Sequence, residues 1–253
     1  MRRILFKSRK SVIAAVFALL IIGPSSYPAC AADQNWTGLY VGAHFGYGWG
    51  NGDTDVLGLP TASFNLMPQT QSPDPNGVLG GLQVGYNYQT GIFVLGAETD
   101  FSLSDMKGIK AVPILLNNGT TYPSGYTMVQ QQTDWFGTLR LRAGITPIPQ
   151  LLLYATGGLA YGDVKYSANI NPLPVGSVQY PISLSKTKAG WTAGAGAEYA
   201  LTRNWSVKAE YVYYDLGDEA GIANPVPANP PYQASYKWKT SANIFRGGLN
   251  YKF

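Results

Sequence analysis

The stretch "NIFRGGLNYKF", Asn243 to Phe253, decides the fold. Counting back in steps of two from Phe253 to Phe245, the residues are aromatic, aliphatic or glycine, while polar residues such as Asn250 and Arg246 stand between them. A period of two is typical of a β-strand with one apolar and one polar face. The segment therefore predicts a strand, and the fold depends on what covers its apolar face.

Seven more segments alternate in the same way. The eight predicted strands are residues 36–50, 77–89, 93–103, 134–145, 151–164, 190–201, 205–215 and 243–253. Their apolar faces tend to carry aromatic residues near the ends, whereas the opposite faces are rich in glycine and hold the charges. A soluble barrel would place charge outside and apolar residues inside, so this pattern favours a barrel surrounded by lipid. The sequence predicts an all-β fold, an eight-stranded antiparallel up-and-down transmembrane β-barrel.

The connections between the strands alternate in length. The connections after the second, fourth and sixth strands are short: residues 89–91, 146–150 and 202–204. Those after the first, third, fifth and seventh strands are long: residues 51–76, 105–133, 165–189 and 216–242. Short periplasmic turns and long extracellular loops are typical of outer-membrane barrels. The long loops offer Tyr122, Tyr126, Met128 and the segment 224–236 for contact with a host or neighbouring surface. A solvated loop without a partner is an equally good interpretation.

The first 31 residues have the features of a secretory signal peptide. Five bases precede an apolar run over residues 12–22, and "ACA" at residues 29–31 supplies a cleavage site. We expect cleavage after Ala31, so that residues 1–31 are removed and residues 32–253 form the barrel domain. The alternatives are cleavage after Ala32, a retained anchor and a lipid-modified Cys30. Removing the leader takes five of the 18 Lys and Arg residues, leaving 13 against 14 Asp and Glu. No basic patch then suggests nucleic acid as a partner.

Several motifs together resemble a known family. They are "WTGLYVGAHFGYGWG", "GGLQVGYNYQTGIFVLGAETDFS", "GTLRLRAG", "LLYATGGLAYGDV", "GWTAGAGAEYAL" and "GGLNYKF", which cover nearly all of the chain after the leader. They resemble the proteobacterial outer-membrane immunogenic proteins, opacity-like porin-family surface antigens related to the OmpA and OmpX barrels. The resemblance implies an eight-stranded barrel in the outer membrane and a role as a surface antigen. It supplies no active site.

Charged residues with inward parity form the candidate site. Neighbouring strands should bring together Glu98, Asp100, Arg140, Arg142, Glu198, Lys208, Glu210, Arg246 and Lys252. Buried charges must be paired, and eight strands enclose little more than their own side chains, so we expect an ionic plug. The alternative is a selectivity filter in a small-solute porin.

Other chemistry has weaker support in the sequence. His44, the only histidine, has inward parity, whereas a lipid-modifying hydrolase needs a histidine that lipid can reach. We therefore expect no enzyme, no metal site and no cofactor, and keep an adhesin or a lipid-active enzyme as further alternatives. The glycine-rich first strand has no helix after it and does not predict a nucleotide-binding loop.

The closing strand also predicts how the protein is assembled. Phe245, Leu249, Tyr251 and Phe253 should face lipid, and the terminal aromatic resembles the signal that the barrel-assembly machinery reads. Outer-membrane lipid and lipopolysaccharide are the other expected partners. The sequence thus predicts a structural protein of the envelope that displays its loops as a surface antigen.

Overall fold

The computed structural model describes residues 34–59, 68–116, 118–171, 178–228 and 232–253 as an antiparallel sheet. The predicted leader lies outside these residues. The strands are β1 (Gly38–Asn51), β2 (Thr54–Leu59), β3 (Gln69–Gln71), β4 (Asn76–Thr90), β5 (Phe93–Leu115), β6 (Thr121–Ile148), β7 (Leu151–Asn171), β8 (Ile182–Ala200), β9 (Trp205–Ala223) and β10 (Gln233–Lys252). Within the described part, no helix could cross a membrane.

Eight of these strands close into a ring, as predicted. The order is β1, β4, β5, β6, β7, β8, β9 and β10, and β10 pairs with β1 from Tyr40↔Lys252 to Asn51↔Ser241. Closure leaves no strand edge open along this part of the wall, which a lipid environment requires. The short turns also lie where the sequence placed them, after β4, β6 and β8.

The wall of the ring carries apolar side chains outward. Leu82, Leu103, Leu141 and Leu159 are each at least 60% exposed, although they lie within long paired strands. Aromatic residues mark the extracellular limit of this band, among them Trp49, Trp135, Tyr161, Trp191 and Tyr213. We refer to the ring up to these residues as the membrane half of the molecule.

The strands continue beyond the membrane half, where the sequence predicted loops. β5 and β6 pair as far as Leu115↔Thr121, and β6 and β7 pair as far as Tyr126↔Asn171. Much of the predicted loop regions 51–76, 105–133, 165–189 and 216–242 is therefore strand. We refer to this continuation as the extracellular half.

The extracellular half is a sandwich of two sheets rather than a ring. One sheet contains β5, β6, β7 and β8, and the other contains β9, β10, β2 and β3. The pairing of β8 with β9 ends at Trp191↔Asp215. Just beyond that point β9 has a bulge opposite Thr240 and Ser241, next to Gly217. Gly217 has a φ of 73°, a conformation that favours glycine and that turns β9 away from β8.

The two halves bury opposite kinds of side chain on the same strand face. In β10, inward Arg246 belongs to the membrane half, whereas inward Tyr236 and Trp238 belong to the extracellular half. The outward residues change in the other direction, from Phe245 and Leu249 to Lys237 and Lys239. The strand keeps its parity while its surroundings change from lipid to water.

Candidate functional site

A cluster of paired charges fills the centre of the membrane half. Arg140 on β6 lies at its middle, with Nη2 2.5 Å from Glu98 Oε1 and 3.1 Å from Asp100 Oδ2, and Nη1 2.8 Å from Glu210 Oε1. The side chain of Arg140 is fully buried. Its three carboxylate partners come from β5 and β9, so the cluster crosses the interior from one wall to the other.

Two further bases complete this central cluster. Lys208 Nζ lies 3.0 Å from Glu98 Oε2 and 3.7 Å from Glu210 Oε2. Arg246 Nη2 lies 2.9 Å from Asp100 Oδ2 and 2.8 Å from Glu210 Oε2. Each carboxylate thus faces at least two cations, as buried charges require.

A second ion pair lies nearer the periplasm. Arg142 donates from Nη2 to Glu198 Oε2, and its guanidinium lies 3.6 Å from the centre of the Tyr154 ring. Glu198 also accepts hydrogen bonds from Ser206 (2.5 Å) and Asn250 (2.7 Å). In both clusters together, four acids face four bases, so the paired charges cancel.

Lys252 is the one member of the predicted network that the structure places elsewhere. Its ammonium donates to the backbone carbonyl of Asn35 at the periplasmic rim. The prediction for this residue was wrong because strand parity gives the direction of a side chain but not its height in the barrel. The other eight predicted residues all lie in the two clusters described above.

Apolar layers close the interior above and below the charges. At the periplasmic end Trp36 is buried against Val94, Leu152, Tyr154 and Ala200. Above the charges the core of the extracellular half begins with the stacked rings of Phe136 and Tyr214. It continues upward through residues from both sheets, among them Val129, Val164, Tyr166, Ala168, Ile170, Val56, Ala234, Tyr236 and Trp238. Neither layer was predicted from the sequence.

The space beside the inward glycines is occupied by neighbouring side chains, so a larger residue would not fit there. A Cβ on Gly42 would overlap the side-chain oxygen of Asn250, and one on Gly85 would overlap the Tyr40 ring. The small cavity that reaches Glu198 from the periplasm has a volume of about 10 Å³. That volume is about the space of one water molecule. Above this cavity, the paired charges around Arg140 occupy the lumen.

The structure places His44 inside the lumen, away from lipid. Its Nε2 lies 2.8 Å from Ser102 Oγ and 3.4 Å from Arg246 Nη1. Both His44 and Ser102 are buried. No group of three or more His, Cys, Asp or Glu residues in the described part of the chain could hold a metal ion.

The predicted assembly-signal residues lie on the outside of β10 and at its end. Phe245, Leu249 and Phe253 are exposed, and Tyr251 contacts the rings of Trp205 and Phe253. This placement fits a wall that faces lipid. Their role as a signal stays a prediction.

The predicted contact residues of the loops have mixed positions. Tyr126 is exposed and accepts a hydrogen bond from Asn171 (2.9 Å), and Met128 is half-buried. The side chain of Tyr122 and residues 229–231 lie outside the described residues. Tyr236 is buried and donates to the carbonyl of Tyr180 (2.8 Å), so it is a core residue and cannot serve as a contact.

Tyrosine phenols in the extracellular core have perturbed acidity. Burial raises the pKa of Tyr166 to about 12, although the hydroxyl also lies 2.5 Å from Thr240 Oγ1. Burial raises the pKa of Tyr236 as well. These groups stay neutral at physiological pH, so the extracellular core carries no charge from them.

Comparison with known proteins gives a family and close relatives. The chain matches the family described as outer membrane protein beta-barrel domain over residues 15–253. It is 38% identical to the 31 kDa outer-membrane immunogenic protein of Brucella melitensis, over 95% of this chain and 97% of that protein. It is 28% identical to the 25 kDa outer-membrane immunogenic protein of the same organism, over 88% of this chain and 82% of that protein.

Among solved structures, the chain resembles the outer membrane protease OmpT from Escherichia coli. The TM-score is 0.52 and the sequence identity 11%, and the alignment covers 85% of this chain and 97% of that one. At this identity the likeness concerns the fold alone.

Proposed function

This chain belongs to the family of outer membrane protein β-barrel domains, and from that premise we propose that it is a non-conducting surface protein of the bacterial outer membrane. The barrel anchors the extracellular half and displays it to the surroundings. In this role the protein strengthens the envelope mechanically and presents an antigenic surface. The relatives named as immunogenic outer-membrane proteins support the antigenic part of the proposal.

The filled lumen is the observation that carries the proposal. A porin needs a continuous aqueous path, but here three layers of side chains follow one another along the axis. The charged layer is the one that water would most easily enter, and its charges are already paired. Opening a path would require breaking buried ion pairs, which costs several kcal/mol for each charge left uncompensated.

Conductance of the folded protein in a planar bilayer tests the closed lumen. We expect no stepwise conductance for the wild type and no swelling of sugar-loaded liposomes. Truncating the pair that leads to the small periplasmic cavity, in Arg142→Ser with Glu198→Ser, should not open a path either, because the central cluster and extracellular core remain. Stable channels in the wild type would contradict the proposal and favour a small-solute porin.

Surface display has its own test. A cysteine at Ile109, on the exposed outer face of β5, should react with a membrane-impermeant maleimide on intact cells. A cysteine at Arg203, in the exposed turn after β8, is the matched control and should react only after the outer membrane is permeabilised. The reverse labelling pattern would show that the proposed orientation is wrong.

A catalytic role has no support from the geometry. The His44–Ser102 contact resembles a base beside a hydroxyl, but it is buried in the lumen while the lipid lies outside. We therefore infer that the protein is not an enzyme. Outer-membrane lipid against the apolar wall, and the assembly machinery at the end of β10, are the partners that the exposed residues support.

A further inference from the structure

Three asparagine–glycine pairs occur in the sequence, Asn51–Gly52, Asn76–Gly77 and Asn118–Gly119. In such a pair the backbone nitrogen of the glycine can attack the side-chain amide carbon of the asparagine, because glycine has no Cβ to obstruct the approach. The attack requires the peptide that joins the two residues to rotate out of its place in the fold. The surroundings of the three peptides therefore determine which of them can react.

The first pair is held by strand pairing and by close packing. Asn51 is the last residue of β1 and pairs with Ser241 on β10. Gly52 is buried, and a Cβ built on it would lie 2.7 Å from Gln131 Oε1 and 3.2 Å from Pro73 Cγ. Because the interior around it is closely packed, this peptide has little room to rotate.

The second pair is held by its side chain as well as by its backbone. Asn76 Oδ1 accepts a hydrogen bond from the Tyr47 hydroxyl (2.8 Å), and Asn76 Nδ2 donates to the Asp74 carbonyl (3.2 Å). Gly77 lies inside β4 and pairs with Gly48 on β1. Rotation of this peptide would break the strand ladder and both side-chain bonds.

The third pair lies at the tip of the β5–β6 hairpin, in the extracellular half. Beyond the last ladder pair, Leu116 N–H donates to the Thr120 carbonyl (2.9 Å) and Gly119 N–H donates to the Leu116 carbonyl (2.8 Å). Asn118 and Gly119 are exposed, and no atom lies within 4 Å of a Cβ built on Gly119. Hydrogen bonds at an exposed hairpin tip open at a low free-energy cost, whereas those inside a long ladder open at a higher one. Local opening therefore releases the Gly119 nitrogen far more often than the Gly77 nitrogen.

The side chain of Asn118 already lies along the peptide that it would attack. Its Oδ1 accepts hydrogen bonds from the backbone N–H of Thr120 (3.0 Å) and from Thr120 Oγ1 (2.6 Å). Because both bonds span Gly119, they hold Asn118 Cγ beside the Gly119 nitrogen. The two donors also point at the oxygen on which negative charge develops during the attack, and such donors stabilise that charge.

We propose that Asn118 is a site of spontaneous deamidation in the extracellular half. The Gly119 nitrogen forms a bond to Asn118 Cγ and the Cγ–Nδ2 bond breaks. Nδ2 leaves as ammonia, taking up through water the proton that the Gly119 nitrogen gives up. Water then opens the cyclic imide and leaves aspartate or isoaspartate at this position.

The inference goes beyond the proposed function, because it makes the displayed surface change with time. Deamidation of Asn118 adds a negative charge to an exposed hairpin tip. Isoaspartate also lengthens the backbone there by a methylene group. An antibody that binds this tip on newly made protein would therefore meet a different surface on aged protein.

Peptide mapping by mass spectrometry tests the proposal on the full-length protein folded in lipid vesicles. After incubation in mildly alkaline buffer, we expect conversion at Asn118 to exceed conversion at Asn51 and Asn76 several-fold. In the denatured chain at the same pH the three sites should convert at similar rates, because the fold no longer distinguishes them. Similar rates at the three sites of the folded protein would overturn the proposal. So would an unchanged Asn118 after the time in which the denatured chain has converted.

The added charge gives a second measurement. Isoelectric focusing of the folded protein should show a more acidic form that accumulates with time. Asn118→Gln should suppress this form, because glutamine must close a larger and less favourable ring. Asn51→Gln, at another exposed asparagine before a glycine, is the matched control and should keep it. An acidic form that persists in Asn118→Gln and disappears in Asn51→Gln would contradict the assignment.

Discussion

The membrane and extracellular halves are built from the same strands, yet they have opposite interiors. In the membrane half the inward residues are charged and paired around Arg140, while in the extracellular half they are apolar and aromatic around Trp238. The outward residues invert in the same way. The difference shows that alternation determines which side a residue faces, whereas the surrounding solvent determines which chemistry each side must have.

Breaking the charged interior should have the largest effect on the whole molecule. Arg140→Leu removes one of the two arginines that face Glu98, Asp100 and Glu210, so three buried acids are left against two bases in the central cluster. We expect the free energy of unfolding to fall by about 3–5 kcal/mol, measured by urea denaturation in lipid bilayers. Lys252→Leu, which removes a base outside the clusters, is the control and should change it by less than about 0.5 kcal/mol. Equal losses in the two variants would show that the ion pairs are not the stabilising element.

Breaking the apolar interior should lower the free energy of unfolding by a similar amount, but the effect should be confined to the extracellular half. Trp238→Ala removes a fully buried ring that stacks with Tyr236 and contacts Tyr166. Such a truncation costs about 3–5 kcal/mol. We expect hydrogen exchange to accelerate in the extracellular half, while the membrane half keeps its protection and the protein its heat-modifiable gel mobility. Uniform loss of protection in both halves would contradict their energetic independence.

One substitution placed in both halves of β9 sharpens the comparison. Ala209 and Ala220 both point outward and are exposed, but only Ala209 lies in the membrane half. Ala209→Lys should destabilise the barrel by about 2–4 kcal/mol, because the lysine enters lipid. Ala220→Lys should stay within about 0.5 kcal/mol, because the lysine enters water. Urea unfolding of the two variants in the same bilayer measures the change in the free energy of unfolding for each. Similar losses of stability would show that the membrane boundary does not lie between Ala209 and Ala220.

Alkaline pH should weaken the extracellular half, and this is the smallest expected effect. Burial raises the pKa of Tyr166 to about 12 from an ordinary value near 10. The neutral phenol therefore stabilises the fold fully below pH 10, and this contribution of about 2–3 kcal/mol is lost as the pH rises toward 12. Limited proteolysis across this range should show the extracellular half opening first. Tyr166→Phe should move the opening to higher pH, and an unchanged profile would exclude this tyrosine as the cause.

The closed ring could be predicted from the sequence, because eight alternating segments with charge on the glycine-rich face fit a membrane barrel and conflict with a soluble one. The extracellular sandwich could not, although its signal was present: Ala234, Tyr236 and Trp238 alternate with polar residues. Nearby prolines and asparagines favoured a loop. In addition, the membrane strands were identified by placing the apolar face outward. In the extracellular half the apolar face points inward, so this criterion selects the wrong face. The packing of one sheet on the other, which needs contacts distant in sequence, could not be predicted from local patterns.

The candidate site was predictable in membership but not in detail. Parity and strand adjacency predicted that Glu98 and Asp100 lie near Arg140, and that Arg246 lies beside the strand of Glu210, because neighbouring strands restrict where side chains can lie. Parity carries no information on height, which is why Lys252 was misplaced. Arg140 lies between three carboxylates because of how the strands tilt around the whole ring. That tilt cannot be predicted from a single sequence.

The junction between β1 and β10 has a consequence for biosynthesis. It joins the two ends of the barrel domain, since Tyr40 pairs with Lys252 and Phe253 donates its backbone N–H to Leu39. β1 can therefore complete its pairing only after β10 has been synthesised. A sheet that lacks β10 has two unpaired edge strands, which are exposed to the aqueous compartment that the chain crosses. A chain halted partway would be a target for aggregation or degradation instead of a smaller barrel. The topology thus allows the ring to close only in a polypeptide that includes its final strand.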